Sequence, residues 1–422
     1  VYQAVQNGVT IITGGPGTGK TTTINTILQV FEQEGLDILL AAPTGRAAKR
    51  MSETTGWEAQ TIHRLLEING GVSEGDTQGA MHFERNEKQP LEADVVIIDE
   101  FSMVDIYLMN ALLRAIVPGT RLIIVGDVNQ LPSVGPGNVL KDMIQAEFCS
   151  VVRLHRIFRQ AAESQIVMNA HRINSGEEIS LENASPDFMH LERKDSASVI
   201  NVVVQLIMQK LPPHVDASPY DIQVLTPTRK GELGVEHLNQ VLQQYMNPAD
   251  AGKVEREFHG VLFREKDKVM QIKNDYQIRW TKKTSLGDVY EEGTGVFNGD
   301  TGIIREIIPI AEQVVVEFEE GKMVEYEYSQ MDEMELAYAI TIHKSQGSEY
   351  PAIVLPVLGG PKMLLGRNLL YTAVTRAKKC VTTVGNSRVI QGMIHNVNEQ
   401  KRFSSLCQRI KEMEEEDAEL NH

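Results

Sequence analysis

The chain is poor in cysteine and has no long apolar run. Its three cysteines, Cys149, Cys380 and Cys407, lie far apart, and none belongs to a CxxC pair. This spacing disfavours a zinc or iron–sulfur site and is typical of a protein of the reducing cytoplasm. No apolar run approaches the roughly 20 residues that span a bilayer, so we expect no membrane partner. An initiator methionine and a signal peptide are also missing, from which we expect a fragment that lacks an N-terminal portion.

Basic residues are outnumbered by acidic ones. The formal net charge is -16 and the sequence pI is about 5.2, which taken alone counts against binding to nucleic acid. Part of the acid is concentrated in residues 411–417, which we interpret as a solvated helix end or tail. Because charges act over short distances, the net charge of the chain does not decide whether its partner is a nucleic acid. The composition, 42% hydrophobic and 23% charged, is that of a globular protein.

One glycine-rich stretch carries the strongest signal. Residues 14–21 read GGPGTGKT, between an apolar run at residues 9–13 and a helical pattern that follows. A strand, a glycine-rich turn and a helix start in this order predict a phosphate-binding loop. Lys20 would reach the β- and γ-phosphates, and Thr21 would place its hydroxyl on Mg²⁺. An ordinary tight turn is the alternative, and the matching glycine, lysine and threonine positions argue against it.

Short apolar runs alternate with helical patterns, which predicts a parallel sheet covered on both faces. A second α/β unit is expected from Val151, with helices over residues 160–211 and strands near residues 222–227, 352–357 and 380–384. Residues 261–330 instead contain short strands with Gly, Asn and Asp turns, typical of a small antiparallel barrel inserted into the second unit. The second unit has no phosphate-binding loop of its own.

Asp99 and Glu100 follow a fully apolar strand. Carboxylates in such a place are unfavourable unless they have a function. With Mg²⁺ present, Asp99 would hold the metal, and Glu100 would polarise the attacking water. A pair of helix-capping acids is the alternative. Gln130 follows the next strand, where its amide could contact the γ-phosphate.

Hydrolysis also requires positive charge against the developing charge of the γ-phosphate. Arg159 and Arg376, both expected outside the first domain, are candidates for this role. Spacing alone favours surface arginines with weak ion pairs equally well.

Two further segments have open interpretations. Residues 67–92 permit a projecting β-hairpin, and disorder explains them equally well. Residues 277–295 interleave aromatic and basic side chains, as surfaces that bind single strands do. A solvated loop is the interpretation that we favour for this second segment.

Seven segments together resemble the helicase motifs of the bacterial RecD-like DNA helicases of superfamily 1B, which include proteins like the alpha subunit of exodeoxyribonuclease V. The resemblance extends over nearly the whole chain. The segments are residues 14–21 (motif I), 42–48 (Ia), 98–103 (II), 125–132 (III), 158–160 (IV), 339–349 (V) and 371–377 (VI).

The resemblance implies an α/β fold of two tandem RecA-like P-loop domains that share one ATP site in the cleft between them. It divides the chain into a domain 1A at residues 1–150, with a pin inserted at 67–92, and a domain 2A at residues 151–260 and 331–400. A Src-homology-3-like barrel would occupy residues 261–330, and a C-terminal helix with an acidic tail would occupy residues 401–422.

The resemblance also implies roles for residues. The catalytic set is Lys20, Glu100, Gln130, Arg159 and Arg376. The nucleotide-binding set is Gly15, Pro16, Gly17, Thr18, Gly19, Lys20, Thr21, Thr22, Gly347 and Glu349, with Mg²⁺ on Thr21 and Asp99. The DNA-binding set is Thr44, Arg46, Thr61, His63, Pro132, Arg229, His343, Ser345, Gln346 and Thr372.

The resemblance therefore implies an ATP- and Mg²⁺-dependent 5′-to-3′ DNA helicase that acts on single-stranded DNA and 5′-tailed duplexes during repair or recombination. A single-stranded-DNA-binding protein and the missing N-terminal region are further expected partners. Two alternatives stay open: an RNA-remodelling ATPase that does not unwind DNA, and a binding module whose affinity for nucleic acid is gated by nucleotide.

Overall fold

The fold is described from a computed structural model that covers residues 1–69, 82–183, 185–284, 286–398 and 402–420. These residues form two compact units. The first comprises residues 1–177, 366–372 and 397–422, and the second comprises residues 178–365 and 373–396. No helix among the described residues is both long enough and apolar enough to cross a membrane.

The strands, in chain order, are β1 (Val9–Gly14), β2 (Ile38–Ala42), β3 (Ala59–Thr61), β4 (Ile68–Asn69), β5 (His82–Phe83), β6 (Val95–Ile98), β7 (Arg121–Gly126), β8 (Ser150–Leu154), β9 (Phe188–Glu192), β10 (Gln223–Thr226), β11 (Glu255–Phe258), β12 (Val261–Arg264), β13 (Lys268–Gln271), β14 (Asp275–Lys283), β15 (Val289–Val296), β16 (Thr301–Ile308), β17 (Gln313–Phe318), β18 (Lys322–Glu327), β19 (Met334–Leu336), β20 (Ala339–Thr341), β21 (Tyr350–Val357) and β22 (Ala377–Gly385).

The α-helices are α1 (Tyr2–Gln6), α2 (Lys20–Gln33), α3 (Gly45–Thr55), α4 (Ile62–Leu65), α5 (Ile106–Ala115), α6 (Val139–Ala146), α7 (Arg159–Ala162), α8 (Gln165–Ser175), α9 (Ser196–Gln205), α10 (Leu211–Val215), α11 (Val235–Met246), α12 (Arg367–Val374), α13 (Ser387–His395) and α14 (Leu406–Leu420). Short 3₁₀ or π turns lie at Phe101–Met103, Leu206–Lys210, Pro219–Asp221, Glu319–Gly321, Tyr328–Glu333, His343–Ser345 and Lys362–Leu364.

The first unit is built on a parallel sheet with the strand order β3-β2-β6-β7-β1-β8. Helices cover both faces, so neighbouring residues of one strand enter different cores. Ile12 packs with α2 on one face, and Ile11 packs with α5 and α6 on the other. This double burial is the reason why β6 and β7 are continuously apolar in sequence, and it confirms the predicted parallel α/β architecture.

The first compact unit ends later than the sequence predicted. We expected a boundary at Val151, but β8 pairs in parallel with β1 as the last strand of the first sheet. The unit then continues through α7 and α8 to Glu177. The apolar run at β8 is visible in sequence, but nothing in it specifies a partner some 140 residues earlier in the chain.

Residues 67–92 contain the base of a hairpin. β4 pairs antiparallel with β5, with Ile68 opposite Phe83 and Asn69 opposite His82. Glu67 and Arg85 form an ion pair of 2.7 Å beside this base. The expected turn of the hairpin falls in residues 70–81, outside the described residues.

The second unit contains a second parallel sheet, with the order β20-β10-β21-β22-β9. β10, β21 and β22 lie where strands were predicted. β9 lies within residues 160–211, for which we expected helices with a break at residues 174–176 and no strand. Its five residues pair with β22 through Phe188 and Val381, a long-range contact that local sequence does not reveal.

Residues 268–336 form an antiparallel sheet with the order β15-β14-β18-β17-β16-β13-β19, and β11 and β12 form a separate pair. The predicted antiparallel character is confirmed. This region is not a separate body, however, because its buried residues join those of the parallel sheet in one hydrophobic core. Val316 and Val324 of the antiparallel sheet and Val224 and Val354 of the parallel sheet belong to it.

The interpretation of residues 277–295 as a loop is wrong. β14 pairs antiparallel with β15, with register shifts between Asp275 and Arg279 and between Lys282 and Lys283, so most of the segment is a β-hairpin; Ser285 lies outside the described residues. The indole of Trp280 lies between two lysines, with Lys282 Nζ 5.7 Å and Lys322 Nζ 5.1 Å from its ring centroid. The aromatic and basic residues therefore stabilise one another on the sheet.

The acidic C-terminal segment is a helix attached to the first unit. Leu406 and Ile410 of α14 pack against the core beneath α6. Just before the helix, Arg402 Nη1 donates to the carbonyl oxygens of Gly135 (2.7 Å) and Gly137 (2.8 Å). The acids at residues 412–416 are exposed, so the expected solvated face is one side of a docked helix.

A buried carboxylate joins the elements of the second unit. Asp267 has no exposed surface and accepts four hydrogen bonds of 2.6–2.8 Å. The donors are the side chains of Gln243 and Asn247 at the end of α11, the backbone N–H of Arg264 and the hydroxyl of Tyr338. Burial raises the pKa of Asp267, and hydrogen bonds from Asn247, Tyr338 and Gln243 oppose that change.

We predict that Asp267→Ala destabilises the second unit. Each buried donor left without an acceptor costs about 1–3 kcal/mol, and four donors are affected, so the melting temperature should fall by about 10 °C or more. Thermal unfolding followed by circular dichroism measures this. The matched control is Asp288→Ala, which removes an exposed carboxylate. Equal melting temperatures for the two variants would contradict the role of Asp267.

Candidate active site

The glycine-rich loop joins β1 to α2 and is held by its own polar side chains. Lys20 Nζ donates to the carbonyl oxygens of Gly14 (2.6 Å) and Gly15 (3.2 Å). Thr18 Oγ1 donates to Gly15 O over 2.8 Å. The ammonium group of Lys20 therefore lies over the loop, at the carboxyl end of β1. Ligands of parallel α/β sheets bind at this end of the strands.

Gly19 is one of two residues, with Gly17, whose left-handed backbone the turn requires. Its φ of 86° lies in the left-handed region, and a Cβ atom there would be only 2.4 Å from Cε2 of Phe158. Immediately afterwards α2 begins, and the first N–H groups of a helix have no partners within it. Such a turn followed by such a helix binds phosphate. The backbone thus fits the triphosphate of a nucleotide.

The residue before Arg159 contacts the glycine-rich loop through its backbone. The N–H of Phe158 donates to Gly17 O over 3.1 Å, and α7 begins at Arg159 with an exposed side chain. Our expectation that Arg159 lies outside the first domain is wrong, because β8 carries the chain directly to the loop. Arg159 belongs to the same compact unit as Lys20.

Asp99 and Glu100 follow β6 in the same unit. Burial, and next the charge of Glu100, raise the pKa of Asp99 to about 6, although the charges of Lys20 and Arg50 act in the opposite direction. The N–H of Glu100 donates to Asp99 Oδ1 over 2.8 Å. Glu100 precedes a 3₁₀ turn but makes no side-chain capping bond, and its Oε1 lies 3.7 Å from Arg50 Nη1. The capping alternative therefore does not describe the side chain of Glu100.

The donor set suits Mg²⁺. Thr21 offers a hydroxyl at the start of α2 and Asp99 offers a carboxylate, and oxygen is the ligand that Mg²⁺ prefers. Among the described residues, no three or more His, Cys, Asp or Glu side chains cluster in a way that could hold a metal ion. Such a site relies on phosphate oxygens and water for its remaining ligands, as Mg²⁺ sites with nucleotides do.

The turn after β7 is fixed by α12. The hydroxyl of Tyr371 donates to Asp127 Oδ2 over 2.6 Å, and both residues are buried. Thr372 Oγ1 accepts the N–H of Leu131 over 2.9 Å. A Cβ atom on Gly15 would lie 3.0 Å from the Tyr371 hydroxyl. Tyr371 thus touches both the phosphate-binding loop and the turn that carries Gln130.

Several predicted DNA-contacting residues have polar groups engaged within the protein. The hydroxyls of Thr44 and Thr61 accept N–H groups at the starts of α3 and α4. Ser345 Oγ donates to Ile342 O over 2.7 Å, and Ser345 is fully buried, as is Thr372. DNA contact by these four residues stays a prediction.

The remaining members of that set differ in exposure. Burial lowers the pKa of His63, which keeps the imidazole neutral near pH 7. Arg229 pairs with Glu335 over 2.6 Å. His343 is exposed and Gln346 is buried. Arg46 and Pro132 are half-buried.

The nucleotide-site candidates of the second unit have partners within that unit. Arg376 donates to Ser348 O (3.3 Å) and to Thr375 Oγ1 (3.2 Å). The carboxylate of Glu349 lies 3.8 Å from Lys378 Nζ. Gly347 has a left-handed φ of 74°.

Sequence reasoning missed three side chains around the loop, Phe158, His171 and Tyr371, and also Arg50 beside Glu100. His171 Nε2 lies 3.0 Å from Pro16 O, and nothing local marks this residue of α8. Phe158 and Tyr371 stand inside recognised motifs, so their positions were visible although their contacts were not.

We predict that Tyr371→Phe destabilises the first unit without changing its fold. The buried carboxylate of Asp127 would lose a donor, and a hydrogen bond to a charged group is worth about 1.5–3 kcal/mol. Thermal unfolding should show a melting temperature lower by several degrees. Tyr107→Phe is the control because Tyr107 is 73% exposed. If both variants melt like the parent protein, the Tyr371–Asp127 bond does not support the turn.

Comparison with protein families assigns three regions. Residues 1–136 match the AAA domain, residues 238–318 match the SH3 domain of ATP-dependent RecD-like DNA helicases, and residues 336–384 match the UvrD-like helicase C-terminal domain. The second match coincides with much of the antiparallel sheet.

Solved structures show a similar fold. The chain aligns with a Pif1 helicase from Bacteroides, in complex with ADP-AlF3 and ssDNA, with a TM-score of 0.53 and 19% identity over 98% of this chain and 95% of that one. A Pif1 structure described as the basis of DNA unwinding at forked dsDNA gives a TM-score of 0.52 and 20% identity, with the same coverage.

Curated relatives are more similar in sequence. The chain is 34% identical to the ATP-dependent RecD2 DNA helicase of Deinococcus radiodurans over 97% of its own length, and it spans about half (51%) of that protein. It is 30% identical to the RecBCD enzyme subunit RecD of Mycobacterium tuberculosis, over 93% of this chain and 69% of that subunit. With the loop, the paired acids and the SH3-type sheet in place, the chain belongs to the RecD-like helicase family.

Proposed function

We propose that this chain is an ATP-dependent 5′-to-3′ DNA helicase that moves on single-stranded DNA. The observation that carries the proposal is the loop between β1 and α2, with Lys20 above it and Asp99 and Glu100 in the same unit. Family membership supports the choice of polymer, since the relative from Deinococcus radiodurans is named as a DNA helicase. The RecD-like SH3 match supports a motor of this type over other nucleotide-binding proteins.

The hydrolytic roles follow from the chemistry of each side chain. Lys20 and the N–H groups of α2 bind the phosphates. Glu100 orients and deprotonates the attacking water, and Gln130 contacts the γ-phosphate. Bound Mg²⁺, held by Thr21 and Asp99, would neutralise charge on the phosphate oxygens. Arg159, beside the loop, and Arg376, in the second unit, supply positive charge to the transferred group.

The remaining nucleotide contacts are proposed by position in the motifs. They are Gly15, Pro16, Gly17, Thr18, Gly19 and Thr22 around the phosphates, with Gly347 and Glu349 on the sugar side.

We assign the strand-contacting role to residues at the carboxyl ends of the two parallel sheets. Thr44, Arg46, Thr61, His63 and Pro132 belong to the first unit, and Arg229, His343, Ser345 and Gln346 belong to the second. Thr372 of α12, also in the first unit, completes the set. Because a motor must release each contact at every step, polar bonds to phosphates and stacking on bases suit it better than sequence readout.

The hairpin that begins at β4 and β5 is proposed as the pin that separates the duplex. Opening one base-pair step costs roughly 1.4 kcal/mol. One hydrogen bond to a charged group is worth about 1.5–3 kcal/mol. A few new contacts per nucleotide cycle are therefore sufficient to drive strand separation.

We further propose that the protein works in the cytoplasm in DNA repair or recombination, where its three free cysteines stay reduced. Single-stranded DNA and 5′-tailed duplexes are its proposed substrates. A single-stranded-DNA-binding protein would contact this protein at the fork of such a duplex.

The function is tested by ATP hydrolysis with and without polynucleotides, followed by unwinding of tailed duplexes. We expect single-stranded DNA to stimulate hydrolysis, and a duplex with a 5′ tail, but not one with a 3′ tail, to be unwound. Stimulation by RNA alone would favour the RNA-remodelling alternative. A protein that binds ATP and DNA but shows no stimulated hydrolysis would be a nucleotide-gated binding module.

We predict that Glu100→Gln and Arg376→Ala bind ATP but fail to turn it over. Loss of a general base lowers a rate by about 10²–10⁴-fold, and loss of a catalytic arginine lowers it by about 10³–10⁵-fold. Phosphate release and nucleotide titration measure the two quantities separately. Glu34→Gln and Arg388→Ala, which alter exposed side chains, are the controls. Normal turnover in either variant removes that residue from its role.

A further inference from the structure

Arg50 and Glu100 form an ion pair that the proposed chemistry does not use. Arg50 Nη1 lies 3.7 Å from Glu100 Oε1. Glu100 is the proposed general base, and its side chain is only 12% exposed. Arg50 stands on α3, a helix with no part in binding the phosphates. The pair therefore connects the water-activating carboxylate to an element outside the nucleotide loop.

The other end of the pair faces solvent. The side chain of Arg50 is 40% exposed, so its guanidinium can reach an anion in solution. α3 also begins at Thr44 and Arg46, which are assigned to the strand-contacting set, and the cap of Thr44 on Ala47 N fixes this end of the helix. A DNA strand that reaches the start of α3 would bring its phosphates towards the same helix.

A guanidinium beside a carboxylate restrains the position of that carboxylate. Phosphate oxygens compete for the same planar donors, and arginine binds phosphate as readily as carboxylate. We propose that Arg50 restrains the Glu100 carboxylate when no polynucleotide is bound. When a DNA strand binds, the guanidinium releases Glu100 and pairs with a backbone phosphate instead. Strand binding thereby frees the general base, which couples hydrolysis to DNA. This inference rests on the proposed function.

The size of the effect is limited by the geometry. A partly exposed pair at this separation is weak, so its loss should raise hydrolysis without DNA by about two- to fivefold. The rate at saturating DNA should change by less than about twofold, because there the pair is already broken. The stimulation ratio should fall by the same two- to fivefold factor.

The experiment compares the parent chain with Arg50→Ala, Arg50→Lys and Lys49→Ala. Lys49 is the adjacent residue of α3 and pairs with Glu53 at 3.9 Å rather than with Glu100, so its variant should behave as the parent. Arg50→Lys keeps the charge and should restore a low rate without DNA. Hydrolysis is measured with and without an oligothymidylate, and binding of the same oligomer is measured against salt. Arg50→Ala should reduce the slope of log affinity against log salt by about one.

Two results would overturn the inference while the proposed function stands. One is an unchanged stimulation ratio in Arg50→Ala with a parent chain that DNA stimulates. The other is a parallel fall of both rates, which would mean that Arg50 supports Glu100 and does not restrain it. A parent chain that no polynucleotide stimulates would overturn the proposed function, and this inference with it. Circular dichroism melting of each variant identifies a loss of rate that comes from misfolding.

Discussion

The close packing around the glycine-rich turn is the constraint on which the rest of the first unit depends. The turn has almost no side-chain volume of its own, so side chains from distant parts of the chain approach its backbone. Phe158, His171 and Tyr371 contact or closely approach it within one compact unit. Because each also belongs to another element, a bound phosphate would act on α7, α8 and α12 at once.

The net charge of the chain and the charges near the glycine-rich turn lead to different expectations about the partner. The total of -16 argues against a polyanion as partner, yet the charges that matter are paired locally. Lys20 and Arg50 both act on Asp99, and the excess acid is partly placed on the outer side of α14. Net charge describes the behaviour of the whole surface, whereas binding of a phosphate depends on the few cations within reach of it.

Much of the fold was predictable because it depends on local pattern. The apolar run of β6 and the glycine turn after β1 specify a parallel sheet and its ligand edge without any knowledge of partners. What could not be predicted depends on pairing across the chain. β8 joins β1, β9 joins β22, and His171 reaches Pro16, and none of these contacts has a signal in its own segment. The use of Thr44 as a cap is visible only in the structure, as is the pairing of Arg50 with Glu100.

The turn between β1 and α2 is proposed to bind the triphosphate through its open backbone. Titration of a non-hydrolysable ATP analogue in the presence of Mg²⁺, followed by calorimetry, tests it on the parent chain and on Gly19→Ala. A methyl group at this position would meet Phe158 and strain a left-handed residue. We expect one site per parent chain and loss of binding in a variant that is still folded. Equal binding by both proteins would contradict it.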